Sequence, residues 1–213
     1  MDRHAGVALV LIASVLIVAK ASARHTDTAN PFQTAAARNA VIHFVPLDAR
    51  AQQLLAATVP SVKRWFSSPT EVSAVPSAGP DWLNRGRRQM NGDRIMDDLL
   101  ARFRRAQGNR PAFLLIVTSA SMYSSVTPAY NFVFGLTAPP GQVGQVTNII
   151  ASAQMRVFHP EREKARLTKM MLRYLGEVMC HLPRNDNPRS VLYRTIVSDA
   201  DLDRMVAKLP RGC

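Results

Sequence analysis

Cysteine is nearly absent from this sequence: only Cys180 and Cys213 occur among 213 residues. Two thiols are too few for a disulfide-rich scaffold or for a zinc site built from four cysteines. In an oxidising compartment the two would tend to pair, closing a loop from 180 through 213 and contributing roughly 3–4 kcal/mol to stability. The count alone leaves a pair of free thiols as the alternative.

Acidic residues are also scarce, since 15 Asp and Glu stand against 27 Lys and Arg, for a formal net charge of +12. The basic residues are mostly arginines and are dispersed, with no run of five or six. Aromatic residues do not alternate with them as in proteins that stack on bases. The pattern therefore disfavours nucleic acid as a partner and favours an anionic envelope polymer or another anion.

The sequence has one long hydrophobic run, the apolar stretch at residues 5–19. It is shorter than the roughly 20 residues that span a bilayer, and the small residues Ala21-Ser22-Ala23 follow it. This order predicts a secretory signal peptide over 1–23, a flexible leader over 24–39 and one domain over 40–213. We expect a secreted or periplasmic protein. The alternative is an uncleaved signal segment, through which alone the chain would contact a membrane.

Hydrophobic periodicity predicts alternating strands and helices across the domain. Strands are expected at 41–45, 71–75, 113–117, 131–136 and 144–151, and helices at 49–66, 95–108, 161–179 and 199–209. The strand at 113–117 is apolar on both faces, which is typical of the centre of a sheet. Pro139-Pro140-Gly141 indicates the turn of a hairpin at a sheet edge. The order favours an α/β fold with a mixed sheet.

Familiar catalytic spacings are missing. None of the domain's histidines belongs to an H-x-x-x-H pair, and the serines that follow the central strand lie outside any G-x-S-x-G sequence. Glu177 and His181 are four residues apart on one helix face, and with His159 they are the candidates for a rebuilt metal site. The simpler interpretation is an ion pair at the end of a helix.

An arginine-rich segment beside Trp82 is a second candidate, as an exposed site for anions. It contains Arg85, Arg87 and Arg88, whose guanidinium groups suit carboxylates and phosphates. The alternative is a solvated lead-in to the next helix, with Trp82 in the core.

Three segments in this order resemble the archaemetzincins, a metzincin-type family of zinc peptidases. RRQMNGDRIM at 87–96 resembles the family's R-x-Q-Y segment, the strand at 113–118 its central strand, and NFVFGL at 131–136 its edge hairpin. The resemblance covers about 41–213. It implies a metzincin-like α/β fold: a mixed β-sheet with an edge hairpin and a long helix at 161–179 in the place of the family's active-site helix.

That helix in the family carries H-E-x-x-H-x-x-G-x-x-H-C, in which three histidines bind zinc and the glutamate activates a metal-bound water. Gly176 and Cys180 fit this spacing. The first histidine, the glutamate, the second histidine and the third histidine are then replaced by Lys169, Met170, Arg173 and Met179. The resemblance therefore implies no metal cofactor and no peptidase activity, with zinc bound through relocated ligands as the alternative.

The family's second, structural zinc is bound by four cysteines. Cys180 and Cys213 fit the first and the last of them, whereas Ser190 and Pro210 occupy the other two positions. Two thiolates cannot hold a closed tetrahedral site. The resemblance thus implies that a Cys180–Cys213 disulfide has replaced a structural zinc.

Together these inferences predict an exported pseudopeptidase whose former cleft binds a peptide or an anionic ligand. The candidate binding residues are Lys169, Arg173, Glu177 and His181. Two other functions stay open at this point: an active zinc peptidase with relocated ligands, and a structural protein of the cell envelope.

Overall fold

A computed structural model describes residues 40–108, 110–127, 130–138, 145–156 and 159–210. The predicted signal peptide and leader, the turn at Pro139-Pro140-Gly141, and Cys213 lie outside these ranges. Among the described residues, no helix has both the length and the apolar character needed to cross a bilayer.

The described residues form eight strands and four α-helices. The strands are β1 Val41–Pro46, β2 Thr70–Val72, β3 Leu83–Asn84, β4 Gln89–Asn91, β5 Ala112–Thr118, β6 Met122–Tyr123, β7 Gly135–Thr137 and β8 Gln145–Ala151. The helices are α1 Ala49–Lys63, α2 Gly92–Gln107, α3 Pro160–Met179 and α4 Asp199–Arg204. A short 3-10 helix, Ala153–Met155, precedes α3.

Five strands make the main sheet in the order β2-β1-β5-β8-β7. All neighbours are parallel except β7, which is antiparallel to β8 at the edge. A separate small sheet has the order β3-β4-β6. The predicted mixed sheet with an antiparallel edge pair is therefore confirmed. The fully buried β5 lies at its centre, as its run of apolar residues predicts.

The two faces of the sheet are covered by different helices. Phe113, Leu115 and Val117 of β5 belong to the core shared with α1 and α3, and the intervening Ile116 packs into the core formed with α2. This alternation follows from the period of two in a strand. α1 and α3 therefore cover one face of the main sheet, and α2 covers the other.

Several elements are shorter than predicted. The strand expected at 131–136 is reduced to β7, because Val133 donates its backbone N–H to Met122 of the small sheet instead. The strand expected at 71–75 is β2, three residues long. α1 ends at Lys63, where the chain tightens into i→i+3 hydrogen bonds. The last helix stops at Arg204 rather than at 209.

Candidate functional site

A cavity of about 680 Å³ lies beside the edge strand β7. Three parts of the chain enclose it: residues 130–137, one face of α3, and the segment 194–197. The residues on the α3 side are Met170, Arg173 and Tyr174. Two more arginines, Arg184 and Arg194, complete the lining, which contains no acidic residue among the described residues.

The edge of β7 faces outward from the sheet. Phe134 accepts a hydrogen bond from Ala151, and Ala138 donates one to Thr147. In an antiparallel ladder the residues between such bonded positions turn their N–H and C=O groups away from the partner strand. Gly135 therefore presents unpaired backbone groups at the free edge.

Gly135 also sets the distance between β7 and α3. A Cβ atom added there would collide with the Tyr174 hydroxyl and lie 2.9 Å from the carbonyl oxygen of Ile149. The absence of a side chain thus lets the helix approach the sheet edge closely. This contact places Tyr174, which lines the cavity, against the side of β7 that faces α3.

Arg173 forms the floor of the cavity and is 4% exposed. Its Nη1 donates to the carbonyls of Val191 (3.3 Å) and Tyr193, and its Nη2 donates to that of Arg194 (3.3 Å). Burial lowers the pKa of this guanidinium, and Glu177, whose carboxylate is 3.5 Å from its Nε, opposes the shift. A cation so enclosed needs these acceptors, because an unpaired buried charge is very costly.

Glu177 is shared between two arginines. Arg184 donates its Nε and Nη2 to the two carboxylate oxygens at 2.8 and 3.1 Å, while Arg173 approaches the same carboxylate. One negative charge therefore serves two guanidinium groups. The charge around the cavity remains positive.

Lys169 lies outside the lining of the cavity. Its ammonium group donates to the carbonyls of Leu202 (2.8 Å) and Asp203 (3.4 Å), and burial is the first cause that lowers its pKa. Together with Arg166 and Arg173 it forms a stripe at i, i+3 and i+7 of α3. We call these three residues the cation stripe. Each binds backbone or carboxylate oxygens and so fastens residues 191–203 onto the helix.

The residues at the expected zinc positions do not fit a zinc ion. Arg173 uses its donors on backbone carbonyls, and Lys169 does the same one turn earlier. Neither side chain offers a neutral or anionic lone pair to a metal. In addition, α3 continues unbroken past Gly176 to Met179, so the last ligand position is not brought round by a bend.

Relocated ligands do not converge either. His159 is the N-cap of α3, and Glu177 lies 18 residues further along the same helix, about 27 Å away at 1.5 Å per residue. Glu177 is already engaged by Arg184, and His181 lies just beyond the helix with a left-handed φ of 51°. Among the described residues, no group of three His, Cys, Asp or Glu side chains is placed to hold a metal.

The segment beside Trp82 is not a stacking surface. Trp82 is 3% exposed, and its indole N–H donates to Asp98 at 3.0 Å. The Arg102 guanidinium lies 5.4 Å from the ring centroid. The interpretation that places Trp82 in the core is confirmed, and an exposed site that uses its ring is wrong because the ring is enclosed by α2.

Cys180 is the C-cap of α3. A Cβ atom added at Gly176 would lie 2.7 Å from Leu209 Cδ2. The absence of a side chain at Gly176 therefore allows Leu209 to pack closely against α3. Gly176 lies four residues before Cys180, and Leu209 lies four residues before Cys213. This contact is compatible with the predicted disulfide, whose second cysteine lies outside the described residues.

We expect the two cysteines to resist alkylation in the unfolded protein until a reductant is added, because a disulfide leaves no thiol to react. Intact-mass measurement after iodoacetamide treatment in denaturant checks this, with reduced protein as the control. Two adducts without reductant would show that the cysteines are unpaired.

The sequence pointed to Arg173 but missed much of the cavity. Arg184 and Arg194 come after α3, and the hydrogen bonds from Asn185 to Leu192 and from Arg194 to Asn185 bring them together. Tyr174 follows Arg173 directly; it belongs to the core and also lines the cavity. The useful signal was NFVFGL at 131–136, which predicted the sheet edge that forms one wall.

No protein-family profile matches this chain, and no curated protein sequence matches it. Solved structures do. The archaemetzincin from Archaeoglobus fulgidus, solved in complex with malonate, is 22% identical with a TM-score of 0.59, over 80% of this chain and 96% of its own. The archaemetzincin from Methanopyrus kandleri is 20% identical with a TM-score of 0.60, over 82% and 91% respectively.

A zinc-dependent peptidase from Methanocorpusculum labreanum is 18% identical, with a TM-score of 0.63 over 80% of this chain and 96% of its own. At these low identities the matches establish a shared architecture. They confirm the metzincin-like α/β fold that the sequence resemblance implied. The chain therefore has the fold of the archaemetzincins and of this related zinc-dependent peptidase.

Proposed function

We propose that this chain is an exported, non-catalytic protein with a zinc-peptidase fold, and that it binds a peptide in the cavity beside β7. The observation that carries the proposal is the position of Arg173, whose guanidinium lies at the floor of the cavity, hydrogen-bonded to Val191, Tyr193 and Arg194.

We infer the loss of catalysis from the side chain at the position where the resemblance predicts the general base. A zinc peptidase needs a Lewis-acidic metal to polarise the carbonyl and a base to take a proton from the attacking water. Met170 stands at the position of that base and is 3% exposed within the core. A thioether neither accepts a proton from water nor replaces a carboxylate. The cavity therefore retains a shape for a peptide without the groups that cleave it.

Peptide binding is supported by the edge of β7. An extended peptide can add to an exposed strand, with main-chain hydrogen bonds supplying affinity and side-chain pockets supplying selectivity. The outward N–H and C=O groups of Gly135 and Thr137 are available for this pairing. The cavity volume falls within the range of about 300–1,000 Å³ that is usual for ligand sites.

Export is supported by the signal-like segment at 1–23 and by the strongly basic composition, which suits an anionic envelope. A structural role in the envelope would use the surface charge alone. It would leave the open sheet edge and the arginine-lined cavity beside it without a ligand, so peptide binding accounts for more of the structure.

Protein purified without chelators should contain far less than one equivalent of zinc and should retain peptides from a random mixture without cutting them. Elemental analysis and mass spectrometry of the retained and unretained peptides measure both. Added zinc is the control for metal loss during purification. New cleavage products that depend on zinc would contradict the loss of catalysis, and an absence of retained peptides would contradict binding.

A further inference from the structure

We infer that the cavity selects peptides that carry an acidic side chain, Asp or Glu, pointing from the bound strand towards α3. This inference rests on the proposed function and adds to it the class of residue that is recognised. It is carried by the three arginines and the tyrosine hydroxyl that line the α3 side of the cavity.

The direction of a bound side chain follows from the geometry of the edge. Side chains alternate between the two faces of a sheet, and a strand added beside β7 obeys the same alternation. The hypothetical Cβ of Gly135 points at the Tyr174 hydroxyl. Alternate side chains of an added strand therefore point to the same face, into the space above Tyr174 and Arg173.

The charge of this space is unbalanced. Arg173, Arg184 and Arg194 line it, and Glu177 is the acidic group that the first two share. Arg184 donates its Nε and Nη2 to Glu177, so its Nη1 remains available to donate to a ligand. An entering carboxylate would gain charge-assisted hydrogen bonds and supply the charge that the enclosed guanidinium lacks.

Arg194 is the adaptable member of the set. Its side chain is 63% exposed, and the Asp186 carboxylate 3.4 Å away is 79% exposed, so solvent screens the pair and it contributes little. The backbone of Arg194 is nevertheless fixed, because its N–H donates to Asn185 and its carbonyl accepts from Arg173. The guanidinium is therefore free to turn towards a ligand from a fixed position.

Tyr174 supplies a neutral donor. Burial raises the pKa of its hydroxyl to about 12, so the proton stays in place at physiological pH. Its side chain lines the cavity. A phenol can donate to a carboxylate oxygen, and the neighbouring guanidinium groups of Arg173 and Arg184 repel a cationic side chain.

Apolar side chains surround the charged floor. Tyr130 is 62% exposed, Phe132 38% and Val197 71%, and all three line the cavity. Such side chains on the rim would pack against the residues on either side of the acidic one. The favoured peptide is thus acidic at one position and apolar around it.

The test uses acetylated and amidated seven-residue peptides with a fluorescent label, a central Glu, Gln or Lys, and flanking positions randomised over apolar residues. We expect the Glu peptides to bind about tenfold more tightly than the Gln peptides, as for a charge-assisted hydrogen bond, and the Lys peptides to bind most weakly. Fluorescence anisotropy measures the dissociation constants. A Gln peptide with a free C-terminus shows whether a terminal carboxylate substitutes for the side chain.

A pair of variants separates local recognition from net charge. Arg194→Glu should remove the preference for Glu over Gln. Arg105→Glu, an equal change of charge at an exposed position of α2, should leave that preference unchanged. Equal affinity for Glu and Gln peptides overturns the selectivity and leaves peptide binding standing. Tighter binding of the free C-terminus than of the Glu side chain overturns the side-chain assignment. Failure of all the peptides to bind overturns the proposed function itself.

Discussion

Replacement of Arg166 by methionine is expected to lower the free energy of unfolding by about 3–4 kcal/mol, the usual cost of breaking a buried ion pair. Arg166 is 2% exposed. Its Nε and Nη2 donate to the two oxygens of Asp203 at 2.7 and 2.6 Å, and its Nη1 donates to the carbonyl of Met155 at 3.1 Å. Methionine fills a similar volume but leaves those acceptors without their donor.

This contact also sets a pH dependence. The hydrogen bonds from Arg166 hold the pKa of Asp203 below its usual value. A carboxyl group with a lowered folded pKa stabilises the protein above its unfolded pKa of about 3.9 and loses that contribution as the pH falls through the folded value. The difference between wild type and Arg166→Met should therefore be full at pH 7 and shrink below about pH 4.

Urea denaturation at pH 7 and at pH 3.5 measures both effects. Arg162→Met is the matched control, because Arg162 lies on the same helix and 3.4 Å from the same carboxylate but is 56% exposed. It should cost less than about 1 kcal/mol. Equal losses for the two variants would show that burial of Arg166 contributes nothing.

The sequence was sufficient to predict the fold where periodicity is strong. The buried β5, the amphipathic α2 and the long α3 were all expected, since their apolar residues recur at the period of a strand or a helix. The edge position of β7 was expected too, but its length was not. Val133 pairs with the small sheet, and no local pattern reveals a hydrogen bond to a strand eleven residues earlier in the chain.

The candidate site was only partly predictable. Substitutions at Lys169 and Arg173 could be read from the spacing to Gly176, and their charge suggested an open basic cleft. The structure places Arg173 in the lining of the cavity and Lys169 outside it, and shows both bound to backbone carbonyls. The carbonyl groups that these two side chains bind lie 18 to 34 residues further along the chain. Which carbonyl groups reach them depends on how the segment after α3 folds back, and the spacing of residues on one helix does not determine that.

The cation stripe gives this arrangement a physical rationale. One face of α3 carries Arg166, Lys169 and Arg173, which fasten residues 191–203 through oxygen acceptors. The sequence resemblance predicts zinc-ligand positions at Lys169 and Arg173, and both side chains are used in this way. A guanidinium provides several donors in a fixed plane and keeps its charge when buried. It can therefore hold a carbonyl-rich segment against a helix without a metal ion.

Replacement of Arg173 by methionine tests this account directly. We expect a loss of about 3 kcal/mol in the free energy of unfolding, because the carbonyls of Val191, Tyr193 and Arg194 lose a charged donor and cannot all reach water. Amides in 191–197 should exchange with deuterium faster than they do in the wild type, whereas the exchange of the β5 amides should not change. Since residues 194–197 form a wall of the cavity, peptide affinity should fall as well.

Arg184→Met is the control for this variant, because Arg184 contacts the same Glu177 but is 44% exposed and bonds none of those carbonyls. It should cost less than about 1 kcal/mol and leave amide exchange in 191–197 unchanged. Arg173→Lys retains the charge but not the planar set of donors, so it should recover only part of the loss. Full recovery by lysine would mean that charge alone fastens the segment, and no loss in Arg173→Met would mean that the guanidinium is not what holds it.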